Sequence, residues 1–129
     1  MKTLTSLMAW LTLSTSSALY GGTATWELNP GSDAWTTATN WTPNTVPNGS
    51  ADTATFDVSN VTSVSLSPTS FFGFSLEVNS IVFSSNASGY TIDLNSEAFS
   101  TVTISGAGII NDSGITQTFA ARVLDRGSI

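Results

Sequence analysis

The sequence of 129 residues contains no cysteine and no histidine. The absence of cysteine excludes a disulfide framework and any thiolate-ligated metal. The absence of histidine excludes a Ser–His catalytic pair and imidazole-ligated metals. Catalysis would therefore depend on carboxylates, and we find no catalytic constellation among them. The sequence predicts no catalytic residue, no cofactor and no metal site.

Basic side chains are almost as scarce. Lysine and arginine total three against nine Asp and Glu, which gives a net charge of −6. They are Lys2, Arg122 and Arg126, so the chain has no basic side chain from Thr3 to Ala121. Phosphate contacts supply most of the affinity for nucleic acids, and anionic lipids repel an acidic surface. The composition therefore argues against a nucleic acid or a membrane surface as partner, and we predict no nucleic-acid binding and no membrane insertion of the mature chain.

Helical patterning is also missing, because no window carries an apolar stripe at the i, i+3, i+4 spacing of a helix. Ser, Thr and Asn make up 50 of the 129 residues, and 40% of the chain is hydrophobic. Short runs alternate apolar and polar residues, as in "TATFDV", "YTIDL" and "STVTIS", and each is bounded by Gly, Asn or Ser. Such alternation is typical of strands with one buried face. The pattern predicts an all-β domain.

The N-terminus has the composition of an export signal. Lys2 supplies a positive charge, and Leu4 to Leu13 supply a short apolar region. Ser16 and Ala18 place small residues at the −3 and −1 positions of a cleavage after Ala18. The apolar region is too short to span a bilayer. We predict a signal peptide over residues 1–18 and an exported, extracellular or cell-surface chain; the alternative is an ordinary first strand or buried helix.

The rest of the chain divides by composition. Residues 19–50 hold three of the four tryptophans and three of the four prolines, and we predict that they form an N-terminal cap. Residues 51–119 alternate regularly and are predicted to be the repeating turns of a solenoid. Residues 120–129 break the alternation, and we interpret them as an irregular, truncated tail of a longer protein.

A weak internal repeat supports stacked units. Thr55–Val58 ("TFDV") matches Thr91–Leu94 ("TIDL") at an offset of 36 residues. Val61–Ser67 matches Phe99–Ser105 at an offset of 38 residues. Repeats at this spacing are typical of solenoids, whose single units cannot bury their apolar face alone. Between the copies, Asn79–Ser80 interrupts the alternation as a corner would.

We therefore predict a parallel β-solenoid with a Trp-rich cap. The alternative is an antiparallel β-sandwich, although two-residue hairpin signals are few, with Pro47–Ser50 and Asn86–Gly89 as the main candidates. The residues predicted to point inward are Phe56, Val58, Val64, Leu66, Val78, Ile81, Phe83, Ile92, Leu94, Val102, Ile104, Ile115 and Phe119. A free strand edge is predicted near Gly114 to Ala120.

The tryptophans of the cap permit two interpretations. Trp26, Trp35 and Trp41 lie close together in a turn-rich segment. Buried, they would close the first turn, where unpaired strand edges invite aggregation. Exposed, they would form a platform for a carbohydrate contact. The sequence leaves both interpretations open.

Asp57 and Asp93 occupy equivalent positions of the repeat and are expected to stack on the outward face. Stacked like charges repel unless a cation or solvent screens them. A Ca²⁺ site built from Asp and Asn oxygens is one alternative. Solvated carboxylates at strand ends are the other.

The chain resembles the bacterial passenger proteins built from autotransporter-associated β-strand repeats, and segments of exported proteins with a PEP-CTERM sorting signal. The similar segments are "TATW" (Thr23 to Trp26), "NW" (Asn40, Trp41), "VPN" (Val46 to Asn48), "DTATFD" (Asp52 to Asp57), "VNSIVF" (Val78 to Phe83) and "TVTISGAGIINDSGITQTF" (Thr101 to Phe119). The resemblance implies a right-handed parallel β-helix at the cell surface with a structural or adhesive role. The membrane barrel and the "PEP" tail of those families are missing from this sequence, and the families supply no catalytic residues.

These observations lead to three hypotheses on function. The first is an exported, surface-displayed or secreted adhesin-like passenger fragment without catalytic activity. Its partners would be further repeats of the same protein, a second copy, or a surface glycan. The second is a small secreted carbohydrate-binding module using Trp26, Trp35 and Trp41. The third is a piece of a β-helical polysaccharide-degrading enzyme.

Overall fold

A computed structural model of the chain describes residues 21–66, 75–94 and 101–121. The predicted signal peptide and nearly all of the predicted tail lie outside these ranges. A 3₁₀ turn at Ala38–Asn40 is the only helical element of the described residues. The strands are β1 (Ala24–Trp26), β2 (Trp41–Thr42), β3 (Gly49–Phe56), β4 (Ser63–Ser65), β5 (Ser75–Phe83), β6 (Thr91–Asp93), β7 (Thr101–Asn111) and β8 (Thr118–Ala120).

The strands form two sheets, and the chain passes from one to the other and back. The five-stranded sheet has the order β2-β1-β3-β5-β7, and the three-stranded sheet has the order β4-β6-β8. Every pair of neighbouring strands is parallel except β1 and β2. The strand pairs β3/β4, β5/β6 and β7/β8 are thus three successive turns of a parallel β-solenoid. The predicted solenoid is confirmed, and the antiparallel sandwich is wrong.

The strand register gives the length of a turn. Phe56 lies beside Phe83 and Phe83 beside Asn111, which are separations of 27 and 28 residues. The predicted repeat of 36 to 38 residues is therefore wrong. It matched Thr55 in the five-stranded sheet with Thr91 in the three-stranded sheet. Both sheets use the same alternation of Thr and apolar residues, so the sequence pattern alone did not distinguish their strands.

Most of the predicted interior is confirmed. Seven of the predicted residues are buried: Phe56, Val64, Leu66, Val78, Ile81, Phe83 and Ile92. Four more are half-buried and pack against this core: Leu94, Val102, Ile104 and Phe119.

The prediction is wrong at two positions, since Val58 is 53% exposed and Ile115 is 49% exposed. Both lie in corners after a long strand, where the chain leaves the pleat. Alternation no longer fixes the direction of a side chain there. At the first of these corners the buried residue is Ser59, whose hydroxyl bonds the backbone oxygens of Glu27 and Val61.

The irregularity predicted at Asn79–Ser80 is present. The register between β5 and its neighbours shifts there, and Ser80 and Ile81 are both buried although they are consecutive. The next turn accommodates this corner with a glycine. A Cβ atom on Gly106 would lie 1.7 Å from Oδ1 of Asn79, so a side chain does not fit without displacing Asn79.

Aromatic rings form a continuous column through the interior. Phe56 and Phe83 stack in register, with ring centroids 5.3 Å apart. Tyr90 contacts both rings at 4.9 and 5.9 Å, and Phe119 lies 6.1 Å from Phe83. The hydroxyl of Tyr90 donates a 2.6 Å hydrogen bond to the backbone oxygen of Asp57. The column therefore connects all three turns, and its one polar end is satisfied.

Replacing Phe83 by Ala is expected to lower the free energy of unfolding by about 3–5 kcal/mol, because a buried ring with aromatic neighbours in both adjacent turns is lost. Urea denaturation followed by circular dichroism measures this loss. The neighbouring Val82, which is only half-buried, provides the matched control, and Val82→Ala should cost much less. Equal losses for the two variants would contradict the assignment of Phe83 to the column.

Tyr90 makes the stability of the folded chain depend on pH in the alkaline range. Burial raises the pKa of its phenol from 10.0 to about 12, Asp57 adds to the rise, and a hydrogen bond with Ser59 opposes it. The folded chain thus holds this proton more tightly than the unfolded chain. The stabilisation that the protonated phenol of Tyr90 contributes to the folded state is complete below pH 10 and is lost as the pH rises toward 12. We expect the denaturation midpoint to fall over this interval, and to fall less steeply in Tyr90→Phe. Identical pH profiles would contradict the burial of the phenol.

Candidate functional site

The first turn of the solenoid has covered edges. On the five-stranded sheet, β1 pairs with the edge of β3, and β2 pairs antiparallel with β1, with Trp41 beside Trp26. On the three-stranded sheet, Ala34 forms a bridge with Ser65 of β4. The backbone N–H of Trp35 donates to the oxygen of Ser65 at 2.9 Å. The N-terminal segment therefore pairs with the outer edge of both sheets, and we call this the capped end.

The three tryptophans fill the core of the capped end. Trp26, Trp35 and Trp41 are all buried, and their ring centroids lie 5.0 and 4.9 Å apart in the pairs Trp26–Trp41 and Trp35–Trp41. Each ring also lies within 6.0 Å of Phe56. The tryptophans thus cover the first ring of the aromatic column. The predicted Trp-rich cap is confirmed.

The indole N–H groups are used inside the protein. Trp26 donates to the backbone oxygen of Val61 at 3.0 Å, and Trp35 donates to that of Pro47 at 3.0 Å. Trp41 donates to the backbone oxygen of Trp35 at 2.7 Å. A sugar platform needs an exposed ring face, and these three rings have none. The structure therefore gives no basis for a carbohydrate contact at these residues.

Asp52 fastens the cap to the first long strand. Its Oδ2 atom accepts hydrogen bonds from the backbone N–H groups of Gly22 at 2.6 Å and Asn48 at 3.1 Å. A Cβ atom on Gly49 would lie 2.9 Å from the same oxygen, so glycine permits this approach. The carboxylate joins two segments that are distant in sequence. Its role is structural, and its position in the sequence did not reveal this role.

The predicted stack of Asp57 and Asp93 does not exist. Asp57 follows β3 in the five-stranded sheet, and its Oδ1 atom accepts from the N–H of Val58 and the hydroxyl of Ser84. Asp93 belongs to the three-stranded sheet, where its neighbours are Ser65 and Ala120. A Ca²⁺ site formed by these two carboxylates is therefore wrong. Among residues 21–66, 75–94 and 101–121, no three His, Cys, Asp or Glu side chains cluster as metal ligands would.

The last turn presents the opposite situation, and we call it the open end. β7 and β8 are the final strands of their sheets in the described chain. Ile81 is 1% exposed, whereas Ile109, its register neighbour one turn later, is 50% exposed. Val78 is buried, and its neighbour Ile104 is only half-buried. Each turn is thus covered by the next, and the last turn has no described successor.

The free edge predicted near Gly114 to Ala120 is found in part. β8, at Thr118–Ala120, is the terminal strand of the three-stranded sheet. The longer edge, however, is β7, which lies outside the predicted range. The signal was present, because "TVTISGAGIIN" is a long run without a charged residue or proline. Charges and prolines are the usual protection of a strand edge.

The chain matches no protein-family model, no curated protein and no solved structure. The part of the chain that the structure describes has no helix of the length and apolarity needed to cross a membrane.

Iodide quenching of tryptophan fluorescence tests the cap. Removal of residues 1–18 also removes Trp10, so that the remaining emission comes from the three tryptophans of the cap. Because these rings are buried, we expect weak quenching of the native chain and strong quenching in urea. In the uncleaved chain, Trp10→Phe gives the same simplification. Strong quenching of the native protein would show that the indoles are exposed and that the cap is wrong.

Proposed function

We propose that this chain is an exported, surface-displayed or secreted solenoid with a structural or adhesin-like role and no catalytic turnover. The observation that carries the proposal is the difference between the two ends of the solenoid, since one end is capped and the other is open. A module of this kind can begin a longer β structure at the capped end and extend it at the open end. Its partners would be further turns of the same protein or another copy.

The contacts of the carboxylates support a scaffold. Asp52 holds the cap, and Asp57 binds the corner after β3 and Ser84 in the next turn. In acid–base catalysis two carboxyl groups face one cleft with a substrate between them. Here the two carboxylates bind backbone or hydroxyl groups of the protein itself. Like the aromatic column, these hydrogen bonds hold neighbouring segments of the solenoid together.

The outward surface supports a location outside the cell. Thr42, Thr25 and Thr55 lie side by side across three strands of the five-stranded sheet. Hydroxyl groups also bond between successive turns, as in Ser75 and Thr101 at 3.2 Å. Such a surface is polar while carrying little charge: 9% of the residues are charged, against about a quarter in a typical globular domain.

The resemblance to autotransporter-associated repeats and PEP-CTERM proteins forms part of this proposal. The parallel solenoid is the fold that the resemblance implies. The proposed cell-surface location rests on the resemblance and on the predicted signal peptide, and the adhesive role rests on the resemblance.

The carbohydrate-binding alternative loses its site, because Trp26, Trp35 and Trp41 are buried. A surface glycan would have to bind elsewhere, and no arrangement of the described residues favours one position. The third hypothesis, a piece of a polysaccharide-degrading enzyme, gains no specific support from the geometry of the carboxylates.

Expression of the full chain in a bacterial host tests the export part of the proposal. We expect the protein outside the cytoplasm with Leu19 as its first residue, because cleavage after Ala18 removes the apolar region. Cell fractionation and N-terminal sequencing measure both. Ala18→Arg is the matched control and should block cleavage while leaving residues 19–129 unchanged. Wild-type protein that stays in the cytoplasm and keeps residues 1–18 would overturn the export assignment.

A further inference from the structure

We propose that the open end binds the open end of a second copy, forming a closed dimer with two-fold symmetry in which β7 pairs antiparallel with its counterpart. This inference deepens the proposed function and rests on it, since it selects self-association among the partners considered above. The surface concerned consists of the edge of β7 and β8 with the inward-facing side chains of the last turn.

The first reason is the unfinished core at this end. Ile109 and Ile104 occupy the inward rows whose previous members, Ile81 and Val78, are buried. Phe119 likewise continues the row of Ile92 and remains half-buried. These side chains leave apolar surface exposed where a fourth turn would cover it. Their apolar chemistry selects an occupant with a similar apolar end face, which a second copy supplies.

The second reason is charge. The whole chain carries −6, so two copies generally repel each other. β7 and β8, however, contain no charged residue along Thr101–Asn111 and Thr118–Ala120. Glu77 and Asp93 lie one strand further in, and the hydroxyl of Ser105 donates to Glu77 at 2.5 Å. The exposed carboxylate of Asp112 follows directly after β7. The strands of the open end are therefore uncharged on an acidic protein, and antiparallel pairing of β7 with its counterpart would place the two Asp112 carboxylates at opposite ends of the ladder.

The third reason is symmetry. When identical edges meet about a two-fold axis, their strands run in opposite directions, and an antiparallel ladder satisfies backbone groups on both copies. The same contact brings the two unfinished cores together. The five-stranded sheet would thereby continue into that of the partner, as in other cases of strand addition to an exposed edge.

The capped end makes the assembly finite. A head-to-tail chain would require the open end of one copy to pair with the first turn of the next. That turn is covered by β1, with β2 outside it, on one sheet and by the bridge of Ala34 with Ser65 on the other, and its core is filled by tryptophans. Only the two open ends can pair fully, so association stops at two copies.

Sedimentation and light scattering of the exported chain over a wide concentration range test the dimer. We expect dimers that dissociate on dilution, and monomers at all concentrations for Ile109→Lys, which places a charge on the open end. Thr55→Lys is the matched control, because it places the same charge on β3, away from the open end, and should leave the dimer intact. Circular dichroism and thermal melting establish that both variants are folded.

Single cysteines test the symmetry, because the chain has none of its own. We expect Cys variants scanned over the exposed β7 positions Thr101, Thr103, Ser105 and Ala107 to form a disulfide-linked dimer at the position nearest the two-fold axis. Thr25→Cys, in β1 at the capped end, should remain monomeric under the same mild oxidation.

Three results would overturn the proposal. Wild-type monomers at every concentration would show that another segment, such as residues 122–129, or a different protein covers the edge. Open-ended polymers would show head-to-tail stacking. A dimer that persists in folded Ile109→Lys would place the interface elsewhere. A wild-type monomer that is still exported and cleaved would contradict only the dimer proposal. A dimer that stays in the cytoplasm would contradict only the proposed export.

Discussion

The structure depends on the stacking of inward-facing side chains from successive parallel turns. Phe56 lies on Phe83 because their strands pair in register, and the tryptophans of the cap continue the same column. Aromatic pairs contribute about 0.5–1.5 kcal/mol beyond the burial of their area, and backbone ladders fix their spacing. With no disulfide available, this column and the two ladders are the main restraints on the chain.

The same stacking explains why the two ends of the solenoid differ from its interior. An interior turn is covered on both sides, whereas a terminal turn exposes strand edges and apolar side chains. At the N-terminal end, the chain covers them with β2, with a bridge to Ser65 and with three indoles whose N–H groups find carbonyl partners. At the C-terminal end of the described chain, Ile109 and the edge of β7 lack such cover. The contrast gives the solenoid a direction and leaves one surface suited to association.

Polar groups in this fold mainly serve the stacking. Ser59, Ser88 and Gln117 lie in successive corners and bond to one another across turns. Asp52 ties the first segment to the turn before β3. A protein whose polar groups are used in this way is well suited to passive, repetitive roles, which agrees with the proposed scaffold.

The sequence by itself determined the all-β class, the corner at Asn79–Ser80 and most of the interior, because alternation along a strand follows from its pleat. The parallel solenoid was correctly predicted, but from a repeat that matched strands of different sheets, since alternation does not distinguish parallel from antiparallel neighbours. It did not determine the length of a turn, since strands of both sheets share one pattern of Thr and apolar residues. It also misplaced Val58 and Ile115, which lie in corners outside the pleat. Only the tertiary structure decided whether the indoles form a cap or a platform, and which strand is the free edge. The exposure of a ring or an edge depends on what other turns place over it, and that arrangement is set by long-range register.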